Sequence, residues 1–141
     1  MEEVAPDEPS WRSEDSVRFA EVLADHGVDV YDVSSGGIDP RQKIIFAEPA
    51  YQLKFAVDVK EKVGDKMLVA CVGGIKDGEI AQGVMKKGID LALVGRQFLR
   101  DHQTVWAFAE QLGVAVKLPN QVEWVFAGRG SQGKRNAKEG R

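Results

Sequence analysis

The chain has 141 residues, of which 43% are hydrophobic and 29% are charged. This length suits one domain with a single core and excludes two full domains. The 19 basic and 22 acidic residues give a net charge of −3, so no global positive field is present to attract nucleic acid or anionic lipid.

The single cysteine, Cys71, excludes an internal disulfide and a cysteine-based zinc cluster, and it fits a reducing compartment. The aliphatic runs are far shorter than the roughly 20 residues that a membrane helix needs. The acidic start, Met1-Glu2-Glu3, also lacks the pattern of a signal peptide. We therefore expect a cytoplasmic protein without a membrane or nucleic-acid partner.

Residues 1–12 combine four acidic side chains with two prolines and predict an extended lead-in anchored by Trp11. A first helix is predicted from Ser13 to Gly27, because apolar residues recur at helical spacing and the acidic side chains at its start suit the positive end of the helix dipole. Residues 28–33 (VDVYDV) are β-branched and aromatic, and they predict a strand that runs into a glycine turn.

Predicted helices and strands continue to follow one another along the chain. Amphipathic helices are predicted over residues 51–63 and from Asp77, the N-cap, to Gly88. Apolar strands are predicted over 67–72 and 89–94, and helical patterns follow over 97–100 and 104–112. Within each predicted strand, apolar and polar residues do not alternate cleanly. Such strands, separated by amphipathic helices, indicate an α/β fold with a parallel sheet.

The predicted domain covers residues 13–127. Residues 128–141 are rich in glycine and polar side chains and carry five basic residues against one acidic residue. This composition predicts a disordered basic tail.

Glycines follow the second and third predicted strands, as Gly73-Gly74 and Gly95-Arg96. Ligands of parallel α/β sheets lie beyond the carboxyl ends of the strands. Glycine lets backbone amides approach an anion, an adjoining helix start favours negative charge, and arginine adds a permanently charged fork. The pattern predicts a phosphate-binding cradle, although glycines that only make turns and a surface arginine would give the same sequence.

No residue stands out as catalytic, and no metal site is predicted. His26 and His102 lie at a helix end and in a polar turn, where solvated imidazoles are common. Ser34 and Ser35 lack the glycine-flanked elbow of hydrolases. Cys71 lies inside a strand, where burial would keep its thiol inert.

Three segments, residues 30–37 (VYDVSSGG), 72–75 (VGGI) and 90–96 (DLALVGR), closely resemble consecutive stretches of the Old Yellow Enzyme family, particularly its fungal, bacterial-like branch. Residues 103–112 and 118–124 (LPNQVEW) resemble the C-terminal end of that family. The resemblance extends over nearly the whole chain.

The resemblance implies the last three βα units of a (β/α)8 barrel that holds FMN, accepts hydride from NAD(P)H and reduces activated, enone-type alkenes. Gly73, Gly74, Gly95 and Arg96 would bind the FMN phosphate. The family residues that bind the substrate, donate the proton and contact the flavin ring from earlier strands have no counterpart in this sequence, so catalysis by this chain alone would be incomplete.

Three strands of a barrel would also leave one apolar sheet face uncovered, and the residues expected there are Val30, Leu68, Val69, Leu91 and Leu93. A second copy of the chain, a completing polypeptide or the chain's own ends could cover it. The alternative function is therefore a non-catalytic α/β scaffold or assembly module derived from such a barrel, binding a protein partner or a phosphorylated ligand.

Overall fold

The computed structural model describes residues 10–37, 39–42 and 48–127. The first half of the chain forms helix α1 (Ser13–Asp25), strand β1 (Val30–Val33), helix α2 (Leu53–Val63) and a 3-10 turn (Gly64–Lys66). Strand β2 (Leu68–Val72), helix α3 (Gly78–Met85) and strand β3 (Leu91–Leu93) follow. Three further helices complete the described chain, namely α4 (Arg96–Arg100), α5 (Thr104–Gln111) and α6 (Glu123–Ala127).

The three strands form one parallel sheet in the order β1-β2-β3. Val30 pairs with Leu68 and Val33 with Cys71, while Val72 pairs with Leu93. The predicted α/β class with consecutive parallel βα units is therefore confirmed. All three strands end at the same edge, so the segments that follow them meet there.

The core lies between the sheet and the helices on one of its faces. Val59 and Val63 of α2 are buried against Val69 and Cys71 of β2, and Ala20 of α1 is fully buried. The apolar stripe predicted for the second helix thus packs on the central strand. Burial of these side chains is the main free-energy gain that holds the helices on the sheet.

The opposite face of the sheet, called the open face below, is exposed at several positions in the described part of the chain. Val30, Leu68 and Leu91 are 42%, 46% and 38% exposed, and Leu93 is half-buried. The prediction that Val69 shares this face was wrong, because Val69 is fully buried among the helices. Successive side chains of a strand point to opposite faces, so Leu68 and Val69 cannot lie on the same one.

The first helix begins at Ser13, as predicted. Its N-cap is Arg12, whose backbone N–H donates to the Asp15 carboxylate at 3.0 Å. Trp11 packs its ring edge-on against Phe19 and donates to Ser16 Oγ at 2.7 Å. The extended lead-in expected at residues 1–12, before the first helix, lies largely outside the described residues. The tail expected at 128–141 lies wholly outside them.

The second helix begins at Leu53 rather than at residue 51. Tyr51 and Gln52 instead form a turn that leads into it, and this turn adjoins the ends of the strands. Asp77 is the N-cap of α3, as predicted, and accepts from the Ile80 N–H at 2.9 Å. Within the described ranges, none of the helices is long and apolar enough to cross a membrane.

Candidate functional site

A cavity of about 400 Å³ lies at the edge where the three strands end. We call it the strand-end cavity. Ser34 lines it after β1, Gly73 and Gly74 after β2, and Gly95 and Arg96 after β3. The structure thus brings all four predicted phosphate-binding residues, Gly73, Gly74, Gly95 and Arg96, onto the wall of one cavity.

The turn at Gly73 and Gly74 requires glycine for both conformation and space. Their φ angles are +107° and +68°, which other residues rarely adopt. A Cβ on Gly73 would lie 2.6 Å from Tyr51 Cε1, and a Cβ on Gly74 would lie 2.9 Å from the Glu48 carbonyl oxygen. The turn is therefore packed tightly against the Glu48–Gln52 segment, which fixes its backbone beside the cavity.

Gly95 differs from those two glycines. Its φ is −102°, and a Cβ there would meet nothing within 4 Å. Neither strain nor crowding within the described residues demands glycine at this position. The missing side chain leaves open space at the N-cap of α4, and a ligand group could come close to the backbone there.

The charged groups on the cavity wall are all cationic. Lys76, Arg96 and Arg100 line the cavity, and no carboxylate is among its described lining residues. Arg96 and Arg100 are four residues apart on α4, so both side chains lie on the same face of that helix. A local positive field therefore exists in a chain whose net charge is −3.

Arg96 is exposed and available to a ligand. Across the described part of the chain, no carboxylate forms an ion pair with its guanidinium. A guanidinium presents several donors in a planar fork that matches two oxygens of a phosphate or carboxylate. Tyr51, Gln97 and Ser34 add neutral polar groups to the same wall.

The start of helix α3 contributes less than the sequence suggests. The Gly78 N–H donates to Gln111 Oε1 at 2.6 Å, and the Ile80 N–H donates to the Asp77 carboxylate at 2.9 Å. These two amides are already satisfied by side chains, so they are not available to an anion. The groups on the cavity wall that remain free for contact with an anion are those of the glycine turn and the basic side chains.

Gln52 lines the cavity and was not predicted from the sequence. Its side chain is almost fully buried, with 2% exposed. Nε2 donates to the Val72 carbonyl at 2.8 Å, and Oε1 accepts from the Ser35 N–H. The sequence offered no direct signal for this role, because the position of Gln52 depends on how the chain returns from β1 to α2.

The other polar residues considered in the sequence lie away from the cavity or lack catalytic geometry. His26 is exposed at the end of α1, where its Nδ1 lies 2.8 Å from the Val22 carbonyl oxygen, and His102 is exposed between α4 and α5. Burial raises the pKa of the Cys71 thiol to about 11, with a further contribution from the charge of Asp32. This thiol is protonated at neutral pH and is a weak nucleophile.

No group of three or more His, Cys, Asp or Glu side chains that could hold a metal ion occurs within residues 10–37, 39–42 and 48–127. The strand-end cavity brings together groups that suit an anion with several oxygens, namely the backbone of the glycine turn and three cationic side chains.

Comparison with known proteins gives a consistent set of relatives. A scan against models of protein families finds no match. The chain is 50% identical over 125 residues to an NADH:flavin oxidoreductase of Gibberella zeae, covering 88% of this chain and 30% of that protein. It is 34% identical over 110 residues to an NADPH dehydrogenase of Bacillus subtilis, covering 77% of this chain and 31% of the relative.

An NADPH dehydrogenase of Geobacillus thermodenitrificans is 35% identical over 115 residues, covering 79% of this chain and 33% of the relative. The chain therefore spans about a third of the length of these curated relatives. Together with the parallel βα units, these similarities establish that the chain corresponds to a C-terminal portion of proteins of the Old Yellow Enzyme family.

Proposed function

We propose that this chain provides the FMN-phosphate-binding portion of an NAD(P)H-dependent flavin oxidoreductase. The observation that carries the proposal is the strand-end cavity, whose charged lining residues Lys76, Arg96 and Arg100 are all basic and whose wall includes the fixed turn at Gly73 and Gly74. The names of the relatives, which include a flavin and a nicotinamide cofactor, support the same assignment.

The cavity fits a phosphate group on the chemistry of its donors. Arg96 would bind two phosphate oxygens through its guanidinium, and the backbone of Gly73 and Gly74 would approach the phosphate without side-chain obstruction. Gly95 would leave room for the ligand after β3, because nothing lies within 4 Å of its Cβ position. Bound FMN would supply the hydride-transfer chemistry that reduces an activated, enone-type alkene.

This chain's own residues would anchor and orient the cofactor. The family residues that activate the alkene and donate the proton have no counterpart in this sequence, so these two steps would belong to groups outside this site. We therefore assign to Gly73, Gly74, Gly95 and Arg96 cofactor binding alone.

A second candidate function is favoured by the open face of the sheet. Val30, Leu68 and Leu91 expose more than a third of their surface there. Exposed apolar side chains that share one face are typical of interaction sites. A non-catalytic scaffold or assembly module would use this face to bind a second copy or a completing polypeptide. Such a protein would associate without any dependence on flavin.

The test is a titration of FMN with the purified chain, followed by the quenching of flavin fluorescence. The wild-type chain should show saturable binding. Arg96→Ala should weaken FMN binding by roughly tenfold or more, because it removes a charge-assisted contact of about 1.5–3 kcal/mol. Arg18→Ala is the matched control, since Arg18 lies on α1 outside the cavity, is 79% exposed and has Asp15 at 3.9 Å.

Equal FMN affinity of the wild type and Arg96→Ala would contradict the assignment of Arg96. Loss of affinity in Arg18→Ala as well would mean that only the overall charge matters. Absence of binding up to roughly millimolar FMN, combined with concentration-dependent association, would favour the scaffold function.

A further inference from the structure

The ends of β1 and β2 at the strand-end cavity are joined by a side chain instead of by the backbone. The Leu68 N–H donates to the Asp29 carbonyl at 2.9 Å, and the register pairs Val30 with Leu68 and Val33 with Cys71. Bonds of a parallel ladder repeat every two residues along each strand. Continued by this rule, the ladder would next join the Ser35 N–H to the Val72 carbonyl.

Gln52 takes the place of that bond. Its Oε1 accepts from the Ser35 N–H and its Nε2 donates to the Val72 carbonyl at 2.8 Å. One primary amide thus satisfies both of the groups that the ladder would have paired. An amide group between two strand ends holds them further apart than a direct hydrogen bond does, and the separation occurs where the cavity opens.

The same amide lies against the glycine turn. A Cβ on Gly73 would lie 2.9 Å from Gln52 Nε2 and 2.6 Å from Tyr51 Cε1. Gly73 directly follows Val72, whose carbonyl accepts from Gln52. The backbone that enters the turn is therefore fixed by this hydrogen bond and by the close approach of Tyr51 and Gln52 to Gly73. Gln52 is only 2% exposed, and both its amide oxygen and its amide nitrogen are hydrogen-bonded, so its side chain has little freedom to move.

From these contacts we infer that Gln52 is the positioning residue of the strand-end cavity: its amide bridge separates the ends of β1 and β2 and fixes the turn at Gly73 and Gly74 in the orientation that receives an anion. The part of this inference that concerns phosphate rests on the proposed function. The part that concerns the geometry of the turn stands on the contacts alone.

The test compares Gln52→Met with the wild type. Methionine has a similar length and volume but cannot bridge Ser35 and Val72. Thr104→Val is the matched control. Thr104, the first residue of α5, is also buried, with 1% exposed, and its hydroxyl donates to the Asp101 carbonyl oxygen. It does not line the cavity.

The first measurement uses no ligand and follows the backbone amide resonances by NMR. Gln52→Met should move the amide signals of Ser35, Gly73 and Gly74, whereas Thr104→Val should leave them in place. Unchanged Gly73 and Gly74 signals in a folded Gln52→Met protein would overturn the inference, whatever ligand the cavity binds.

The second measurement compares FMN with riboflavin, which lacks the phosphate. Gln52→Met should lower the affinity for FMN by about tenfold, equivalent to about 1.4 kcal/mol, and should leave the weaker affinity for riboflavin unchanged. A merely destabilised protein would lose both affinities together. Equal FMN affinity of the wild type and Gln52→Met would overturn the role of Gln52 and leave the proposed function standing.

If the wild type binds no FMN, the proposed function fails, and the ligand-free measurement still decides whether Gln52 sets the turn. Should Gln52→Met fail to fold, Gln52→Asn replaces it. Asparagine keeps the amide but is one methylene shorter, so it cannot reach both strand ends, and the same shifts of Gly73 and Gly74 are expected.

Discussion

At the scale of single residues, the glycines of the strand-end cavity are required for different reasons. Gly74 has a φ of +68° and backbone atoms of the Glu48–Ala50 segment within 3.1 Å of its Cβ position. Gly95 has a negative φ and open space around its Cβ position. Gly74, like Gly73, is therefore needed for the fold itself, whereas Gly95 is not.

Gly74→Ala should lower the free energy of unfolding by about 2 kcal/mol or more, because alanine is strained at this φ and its methyl group would press on backbone. Gly95→Ala should change it by less than about 1 kcal/mol. Urea unfolding of both variants measures the difference. Equal losses of stability would contradict the account of the turn.

Part of the cavity could be predicted from residues alone. Gly73, Gly74, Gly95 and Arg96 were predicted because residues that follow parallel strands must meet at one edge. Arg100 could have been added from its spacing of four residues from Arg96 on one helix. Tyr51 and Gln52 could not, because the segment between β1 and α2 has no periodic pattern that would place them beside Val72.

At the scale of elements, the order of helices and strands followed from periodicity and glycine positions. The residues at which each element begins and ends, and the face of the sheet on which each side chain lies, did not. The third strand was predicted over residues 89–94 and pairs only over Leu91–Leu93. Nearly continuous apolar runs such as 67–72 do not reveal which side chains face the helices. The prediction that Val69 lies on the open face was wrong for that reason.

The starts of β2 and β3 are joined to helix α2 by a partly buried ion pair on the edge of the sheet away from the cavity. Lys60 Nζ lies 2.9 Å from the Asp90 carboxylate, which also accepts from the Val69 N–H at 2.8 Å. Burial acts to raise the pKa of Asp90, but the hydrogen bonds from Val69 and Lys60 and the charge of Lys60 together hold it below its ordinary value.

A carboxyl group whose pKa is lowered by folding stabilises the protein above its unfolded pKa, and this contribution is lost as the pH falls through the folded pKa. Asp90→Asn should therefore cost about 1 kcal/mol at pH 7, and the gap from the wild type should close below the usual aspartate pKa of 3.8. Chemical unfolding at a series of pH values measures this gap.

Asp58→Asn is the control for that experiment, because Asp58 pairs with Lys54 at 2.7 Å on an exposed face of α2. Exposed pairs of this kind contribute less than about 1 kcal/mol. A loss in Asp58→Asn as large as that in Asp90→Asn would show that the ion pair at the sheet edge has no special weight.

At the scale of the whole molecule, one face of the sheet is covered by helices, and the other exposes apolar side chains among the residues that the structure describes. Val30, Leu68 and Leu91 come from three different strands and are exposed together on the open face. Water contact with this much apolar surface is unfavourable. We expect the isolated chain to associate through this face.

Leu68→Glu places a charge at the centre of the open face and should weaken self-association by roughly tenfold or more. Val105→Glu is the matched control, because Val105 is 54% exposed on helix α5 and should leave association unchanged. Sedimentation velocity over a wide range of concentrations measures the mass. A wild-type chain that stays monomeric throughout would contradict the expectation.

The strand-end cavity is tested most directly by following the backbone amide signals of the ¹⁵N-labelled chain during a titration with FMN. We predict that the largest shifts occur at Gly73, Gly74 and Gly95, saturate with FMN and are much smaller with riboflavin. Shifts confined to other parts of the chain, or none up to roughly millimolar FMN, would contradict the assignment of this cavity to the FMN phosphate.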